Sequence, residues 1–366
     1  MKFINRYLRN LKPYNVASHK IWDGGGVNAI KILKLDWNES TIPPSPLVKK
    51  SLLKIVENEI LYSLYPSTNN IKLLDKISSY VGLPIGNVQY FASSDSLHEY
   101  LVKMYITVGD PILILGPTYD NFRLTAESQG GNVTFFNLST NCELDFDLFI
   151  ESIKSLSPSL VYICNPNNPT GNLIDINSVK FLLNLFPETV FLVDEAYYEF
   201  SGVSMSKYVL EFDNLFISRT FSKAFGLANF RIGYLISSCE NILQISKIRN
   251  PKNITTFAQV AAISALSDVE YMNSYVEQVN IAKLFFSVEL KSKHFIKKVH
   301  PSESNFLLVE FFDFETKTNF FEFLSANNIF LRNLSHSSIL NNCLRITIGN
   351  VEQMKNVVSV INNFIG

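Results

Sequence analysis

The chain has 366 residues, long enough for a large core and usually for more than one domain. Hydrophobic residues make up 47% and charged residues 18%, which excludes a disordered chain, and a formal net charge of -1 leaves no electrostatic case for nucleic acid or an anionic membrane. No stretch reaches the roughly 18 consecutive apolar residues of a spanning helix, so the expected partner is a small molecule and the expected location is the cytoplasm.

Residues 1–35 read as an N-terminal arm, with Gly24-Gly25-Gly26 breaking any regular element before the short apolar run at 30–35. Lys2, Arg6, Arg9 and Lys12 interrupt its start, which is therefore neither a signal peptide nor an anchor. A large domain is expected over 36–240. Within it, Ser93 to Ser96 precede the helical periodicity of Leu97, Leu101, Val102 and Tyr105 and should open a helix. The free N–H groups and dipole there, at Ser94 and Asp95, suit a phosphate. Short apolar runs at 112–115, 133–136, 160–163, 190–193 and 215–217 alternate with helical patterns starting near Tyr119, Phe146, Asn177 and Ser206. That alternation predicts an α/β fold with a mainly parallel sheet covered by helices on both faces. Polar residues then fall just past strand ends, where such folds place their chemistry: Tyr119, Asn168, Asp194 and Lys223. From Glu240 the pattern changes: a long helix is expected over 269–291, strands at 305–309 and 344–348, and helices at 318–327 and 351–364. Residues 241–366 form the expected smaller α+β domain. Cys142, Cys164, Cys239 and Cys343 show no paired spacing, which fits reduced thiols better than a disulfide frame or a metal site.

The stretch Ser218-Arg219-Thr220-Phe221-Ser222-Lys223-Ala224-Phe225-Gly226 carries the sharpest chemical signal. Small and apolar neighbours leave Lys223 poorly solvated, which favours a neutral, nucleophilic amine. Eight residues on, Arg231 offers a planar fork of donors for a phosphate.

Together with Asn165-Pro166-Asn167-Asn168-Pro169-Thr170-Gly171 and Asp194-Glu195-Ala196-Tyr197, this stretch resembles the fold-type I pyridoxal-phosphate enzymes, most closely the histidinol-phosphate aminotransferase family. The resemblance runs from Leu11-Lys12-Pro13-Tyr14 to Leu344-Arg345-Ile346-Thr347 and implies a homodimeric aminotransferase using pyridoxal 5'-phosphate. It implies that Lys223 anchors the cofactor and then shuttles protons. Asp194 would pair with the ring nitrogen, Asn168 and Tyr197 with the ring oxygen, and Tyr119 would stack on the ring; Ser94, Asp95, Ser222 and Arg231 would hold the phosphate. Tyr65 would reach the partner subunit's cofactor. Tyr14, Trp37, Asn38, Asn168, Arg332 and Arg345 would bind a phosphorylated keto substrate and the amino donor, expected to be glutamate. Tyr14 also fits a hydrophobic staple beside Pro13.

Trp37, Ser93, Asn229 and residues 22–28 depart from the family pattern. Trp37 stands where a small residue is expected, in Leu35-Asp36-Trp37-Asn38-Glu39. An indole filling the cleft mouth would favour a substrate smaller than imidazole acetol phosphate, such as dihydroxyacetone phosphate; an indole packed under the arm would not. A decarboxylase of O-phosphorylated amino acids is an alternative reading, and a catalytically silent binding module is another.

Overall fold

The computed structural model describes residues 5–9, 11–13, 32–335, 337 and 339–365. Tyr14 and the 22–28 loop lie outside the described residues. Strand β1 (Leu33–Leu35) leads to helices α1 (Pro46–Val56) and α2 (Ile71–Val81). Helix α1 opens with Ser45 as N-cap and Pro46 at its first position; α2 ends at Gly82, whose φ of 75° suits a helix stop. Strand β2 (Val88–Phe91) and α3 (Ser94–Tyr105) follow.

The α/β alternation then proceeds through β3 (Pro111–Gly116), α4 (Asn121–Ser128), β4 (Asn132–Asn137), α5 (Phe146–Leu156), β5 (Leu160–Cys164), α6 (Ile176–Leu185), β6 (Val190–Asp194), the single turn α7 (Tyr198–Ser201), β7 (Leu215–Thr220) and β8 (Gly233–Ile236). These strands form a seven-stranded sheet in the order β2-β8-β7-β6-β5-β3-β4. Pairs from β7 through β6, β5 and β3 to β4 are parallel; β8 runs antiparallel to both β7 and β2. Every residue of β5, β6 and β7 is buried. Since neighbouring side chains on a strand point to opposite faces, both faces of the sheet centre are covered.

The rest comprises α8 (Cys239–Ile248), α9 (Thr256–Leu266), α10 (Val269–Lys291), β9 (Ile296–Val299), β10 (Phe306–Phe311), α11 (Phe314–Ala326), β11 (Ile329–Asn333), β12 (Cys343–Thr347) and α12 (Val351–Ile361). A second sheet has the order β1-β11-β12-β10-β9. Leu33 to Leu35, the last residues of the expected arm, pair in parallel with Ile329 to Leu331. The sequence from 36 onward is thereby anchored beside the C-terminal sheet before it enters the other half of the molecule. The helix expected from Ser206 is a short 3-10 segment, Ser206–Leu210, and Tyr119 sits two residues ahead of α4. No described helix is long and apolar enough to cross a membrane.

Candidate active site

A cleft of about 400 Å³ lies at the carboxyl ends of β5, β6 and β7, bounded by both sheets. The parallel register sets Cys164, Asp194 and Ser218 side by side, so the polypeptide leaves each strand at one edge and carries Asn168, Tyr197 and Lys223 over the same cavity.

Lys223 projects into this cleft, and its Nζ donates to the main-chain carbonyl of Trp37 at 2.8 Å. Burial, with the positive charge of Arg345 second, lowers its amine from the ordinary 10.5 to about 8. Asp194, the last residue of β6, is 3% exposed and accepts hydrogen bonds from the Tyr162 hydroxyl at 2.9 Å and the Ser218 hydroxyl at 3.0 Å. The Tyr197 hydroxyl accepts from Asn38 Nδ2 at 3.0 Å; burial pushes its phenol up, with Arg345 pulling the other way.

At the far side, α3 begins with Ser93 as N-cap, its Oγ accepting from the Ser96 N–H at 3.2 Å. Ser93 has φ 91° and ψ 163°, a region open essentially to glycine, which is why glycine would be expected at this position. Ser94 and Asp95 open the helix and line the cleft. Asp95 accepts from the Tyr119 hydroxyl and Asn121 Nδ2, each at 3.1 Å, and pairs with Arg231 at 3.1 Å. Arg231 also donates to the Ala228 carbonyl at 3.1 Å but remains half exposed, which leaves its positive charge accessible to an anion at the same helix end. Ser222 also lines the cavity, bonded through its Oγ to Thr220. Strand β8 passes directly beneath α3: a Cβ on Gly233 would sit 2.8 Å from the Ser94 nitrogen and 2.8 Å from the Arg219 carbonyl. Only glycine leaves this cradle of N–H groups undisturbed.

The third wall comes from the other sheet. Arg332 and Arg345 face each other across β11 and β12 and both line the cleft. Arg345 donates to Asn168 Oδ1 at 2.6 Å and to the main-chain oxygen of Asp36, tying the two walls together. Asn38 does not line the cavity; it acts from behind, bonded to Tyr197, Thr347 and Asn305. Trp37 does line it, and its indole lies under Lys34, whose Nζ is 4.3 Å from the ring centroid. Lys34 is held in turn by Asp36 at 2.9 Å and by Glu39. Trp37 thus belongs to the cleft lining, with Lys34 against its ring.

Tyr65 is not part of this chain's cleft: it is 79% exposed, with Lys252 against its ring. Sequence reasoning passed over Lys34, Tyr162 and His98, and gave no role to Asp36, Glu39 or Ser218 within the motifs that contain them. The available signal was a single polar residue at the end of an apolar run, as in Leu215-Phe216-Ile217-Ser218.

An amine made nucleophilic by burial, a carboxylate at a strand end and a glycine-floored helix N-terminus with an adjacent arginine match the aldehyde, ring nitrogen and phosphate of pyridoxal 5'-phosphate; fold and site together define an aminotransferase of the fold-type I class. The sequence pattern of the family described as aminotransferase class I and II matches residues 30–361, and the chain belongs to that family of pyridoxal-phosphate-dependent aminotransferases. It is 43% identical to a dihydroxyacetone phosphate transaminase of Campylobacter jejuni, over 98% of this chain and 96% of that one. Identity to a histidinol-phosphate aminotransferase of Ruminiclostridium cellulolyticum is 32%, over 96% and 95% of the two chains. Among solved structures, the histidinol-phosphate aminotransferase of Sinorhizobium meliloti in complex with pyridoxal-5'-phosphate superposes with a TM-score of 0.87 at 23% identity, covering 99% of this chain and 98% of that one, and shares the fold.

Proposed function

We propose that this aminotransferase moves an amino group, with glutamate as donor, to or from a three-carbon phosphorylated substrate of the dihydroxyacetone phosphate kind. The observation that carries this reading is Trp37 in the cleft lining, with Lys34 Nζ 4.3 Å from its ring centroid. A held indole removes space that an imidazole ring would need, and overpacking a closed site costs about 1–3 kcal/mol. The 43% identity to a dihydroxyacetone phosphate transaminase supports the same choice.

Bound pyridoxal 5'-phosphate supplies an aldehyde for the substrate amine and an electron-withdrawing ring that stabilises negative charge at the reacting carbon. Ser94, Asp95, Ser222 and Arg231 would hold its phosphate at the α3 N-terminus, Tyr119 would cover its ring, Asp194 would meet its ring nitrogen, and Asn168 and Tyr197 would meet its ring oxygen. Lys223 Nζ would anchor it and, once free of it, would take up and return the proton at the reacting carbon. Arg345 and Arg332 take the anionic groups of donor and acceptor, bidentate contacts being the strength of the guanidinium fork.

We read the active unit as a cytoplasmic homodimer. Leu53, Ile60, Tyr62, Leu64 and Tyr65 form an exposed apolar run from the end of α1 onward, the composition of a surface that a second copy covers, and all four cysteines are free thiols.

The deciding experiment compares kcat/KM for dihydroxyacetone phosphate and imidazole acetol phosphate with glutamate, following 2-oxoglutarate and carbon dioxide separately. Preference for the three-carbon compound that narrows in Trp37→Ala is the expected result. Preference for the imidazole compound overturns the substrate reading, and carbon dioxide released from an O-phosphorylated amino acid such as O-phosphothreonine, supplied in a parallel reaction without glutamate, would make the protein a decarboxylase instead.

A further inference from the structure

Behind Asp194 lies a set of buried groups that the transamination chemistry does not itself require. His98, on the second turn of α3, is 1% exposed, and its Nε2 lies 2.9 Å from the Ser218 hydroxyl. Ser218, fully buried on β7, donates to Asp194 Oδ1 at 3.0 Å. Its single hydroxyl proton is thereby spent on Asp194, so Ser218 Oγ accepts from His98, which fixes the ring proton on Nε2. The other ring nitrogen, Nδ1, is buried and has no hydrogen-bond partner, as expected for a bare lone pair in this tautomer.

His98 also touches the other donor to Asp194. The rings of Phe122 and Tyr162 stack at 4.4 Å, and the His98 ring stands edge-on to both, 5.7 Å from Phe122 and 5.8 Å from Tyr162. Tyr162, fully buried on β5, gives its hydroxyl to Asp194 Oδ2 at 2.9 Å. Both carboxylate oxygens are therefore addressed by side chains that meet at one histidine. Other titratable groups near Asp194 are Cys164 on β5 and Tyr197 just past β6.

We propose that His98 is a positioning residue for the transamination site: through Ser218 it sets how much negative charge Asp194 presents to the cofactor's ring nitrogen. The physical basis is cooperativity in a hydrogen-bond chain. A hydroxyl that accepts a bond becomes a stronger donor, and in a buried, low-dielectric setting that strengthening persists. Because α3 carries both the phosphate end at Ser94 and this histidine one turn later, one rigid element sets the surroundings of both ends of the cofactor. The inference rests on the reading of Asp194 as the ring-nitrogen partner.

The test follows, by nitrogen NMR of ring-labelled pyridoxal phosphate in the holoenzyme, the pH midpoint of the ring nitrogen in Asp194→Asn, Ser218→Ala, His98→Phe and His98→Gln. A carboxylate near the ring favours the protonated form, so Asp194→Asn should lower the midpoint. Removing a donor that disperses its charge should raise it: Ser218→Ala and His98→Phe are expected to move the midpoint up by roughly half a pH unit, the scale of one modest hydrogen bond. His98→Gln, which retains an N–H donor, should restore most of the shift. If Asp194→Asn moves the midpoint but Ser218→Ala and His98→Phe do not, the His98 proposal is overturned and the Asp194 reading stands; if Asp194→Asn moves nothing, both fall. A readout free of cofactor is the nitrogen NMR signal of the His98 ring in the apoprotein. The Nε2–H tautomer with a resonance that shifts in Ser218→Ala supports the proposal, and an Nδ1–H tautomer overturns it even where His98→Phe does not fold.

Discussion

Lys223 Nζ donates to the main-chain oxygen of Trp37 at 2.8 Å, so the buried amine is held by a segment that lines the cleft. Its surroundings lower the amine from 10.5 to about 8, burial first and Arg345 second. A neutral amine is the nucleophile, so borohydride trapping of pyridoxal phosphate on the apoprotein should rise with pH through about 8 and vanish in Lys223→Ala. Arg345→Gln should shift that rise to higher pH. The linkage has a definite sign: between about 8 and 10.5 the unfolded chain holds the lysine proton that the folded chain has lost, so stability rises with pH across that window. Thermal unfolding of the apoproteins checks it. Lys223→Met should be the more stable near neutral pH, and its advantage should shrink above about 8; an advantage constant with pH contradicts the assignment.

Ser93 carries a backbone conformation, φ 91° and ψ 163°, that costs a non-glycine residue about 1–3 kcal/mol. It compensates in part by capping α3 through the Ser96 N–H, but exchanging a serine cap for glycine loses only a few tenths of a kcal/mol. Ser93→Gly is therefore expected to raise the melting temperature by roughly 2 °C or more. It also frees the Ser96 N–H, so pyridoxal phosphate should bind at least as tightly, measurable by titrating the apoprotein.

The catalytic edge was legible because its cause is local. Buried parallel strands read as unbroken apolar runs, and 160–163, 190–193 and 215–217 emerge as β5, β6 and β7 with Asn168, Asp194 and Lys223 at or past their ends. Two kinds of feature were not legible. Strands β2 and β8 have only four residues each; a glutamine interrupts Val88-Gln89-Tyr90-Phe91 and a glycine opens Gly233-Tyr234-Leu235-Ile236, so their patterns are short. Strand β1 takes its partner from 296 residues further on, since Leu33 pairs with Ile329. The same limit hid the support of Asp194. His98 and Ser218 are 120 positions apart, and nothing in either local sequence says that α3 will lie against β7.

The homodimer reading makes Tyr65 a group acting outside its own chain, since at 79% exposure it has no place in this cleft. Subunits carrying Lys223→Ala and subunits carrying Tyr65→Phe should each be poor enzymes. Mixed and allowed to exchange, they would form some dimers with one intact site, so activity should recover to about a quarter of wild type if exchange is random. No recovery above the parents would remove Tyr65 from the active site.

Lys34, which does not itself line the cleft, offers a way to move specificity. It covers the Trp37 ring at 4.3 Å and pairs with Asp36, which is 2% exposed and whose carboxyl is raised by burial against the opposing pull of Lys34. Lys34→Met alone strands that carboxylate, and losing one partner of a buried pair costs about 3 kcal/mol, so the variant should be less stable. Adding Asp36→Asn removes the stranded charge while keeping the main-chain oxygen that receives Arg345, and stability should largely return. Specificity should not return with it, because the cation over the indole is still missing. A cation–π contact of about 0.5–1 kcal/mol corresponds to a roughly two- to fivefold loss of preference for the three-carbon substrate over the imidazole compound. Lys34→Arg, which can stack on the ring and pair with Asp36, should stay close to wild type. A double variant that regains both stability and preference would show that Lys34 supports the fold and has no hold on the Trp37 wall.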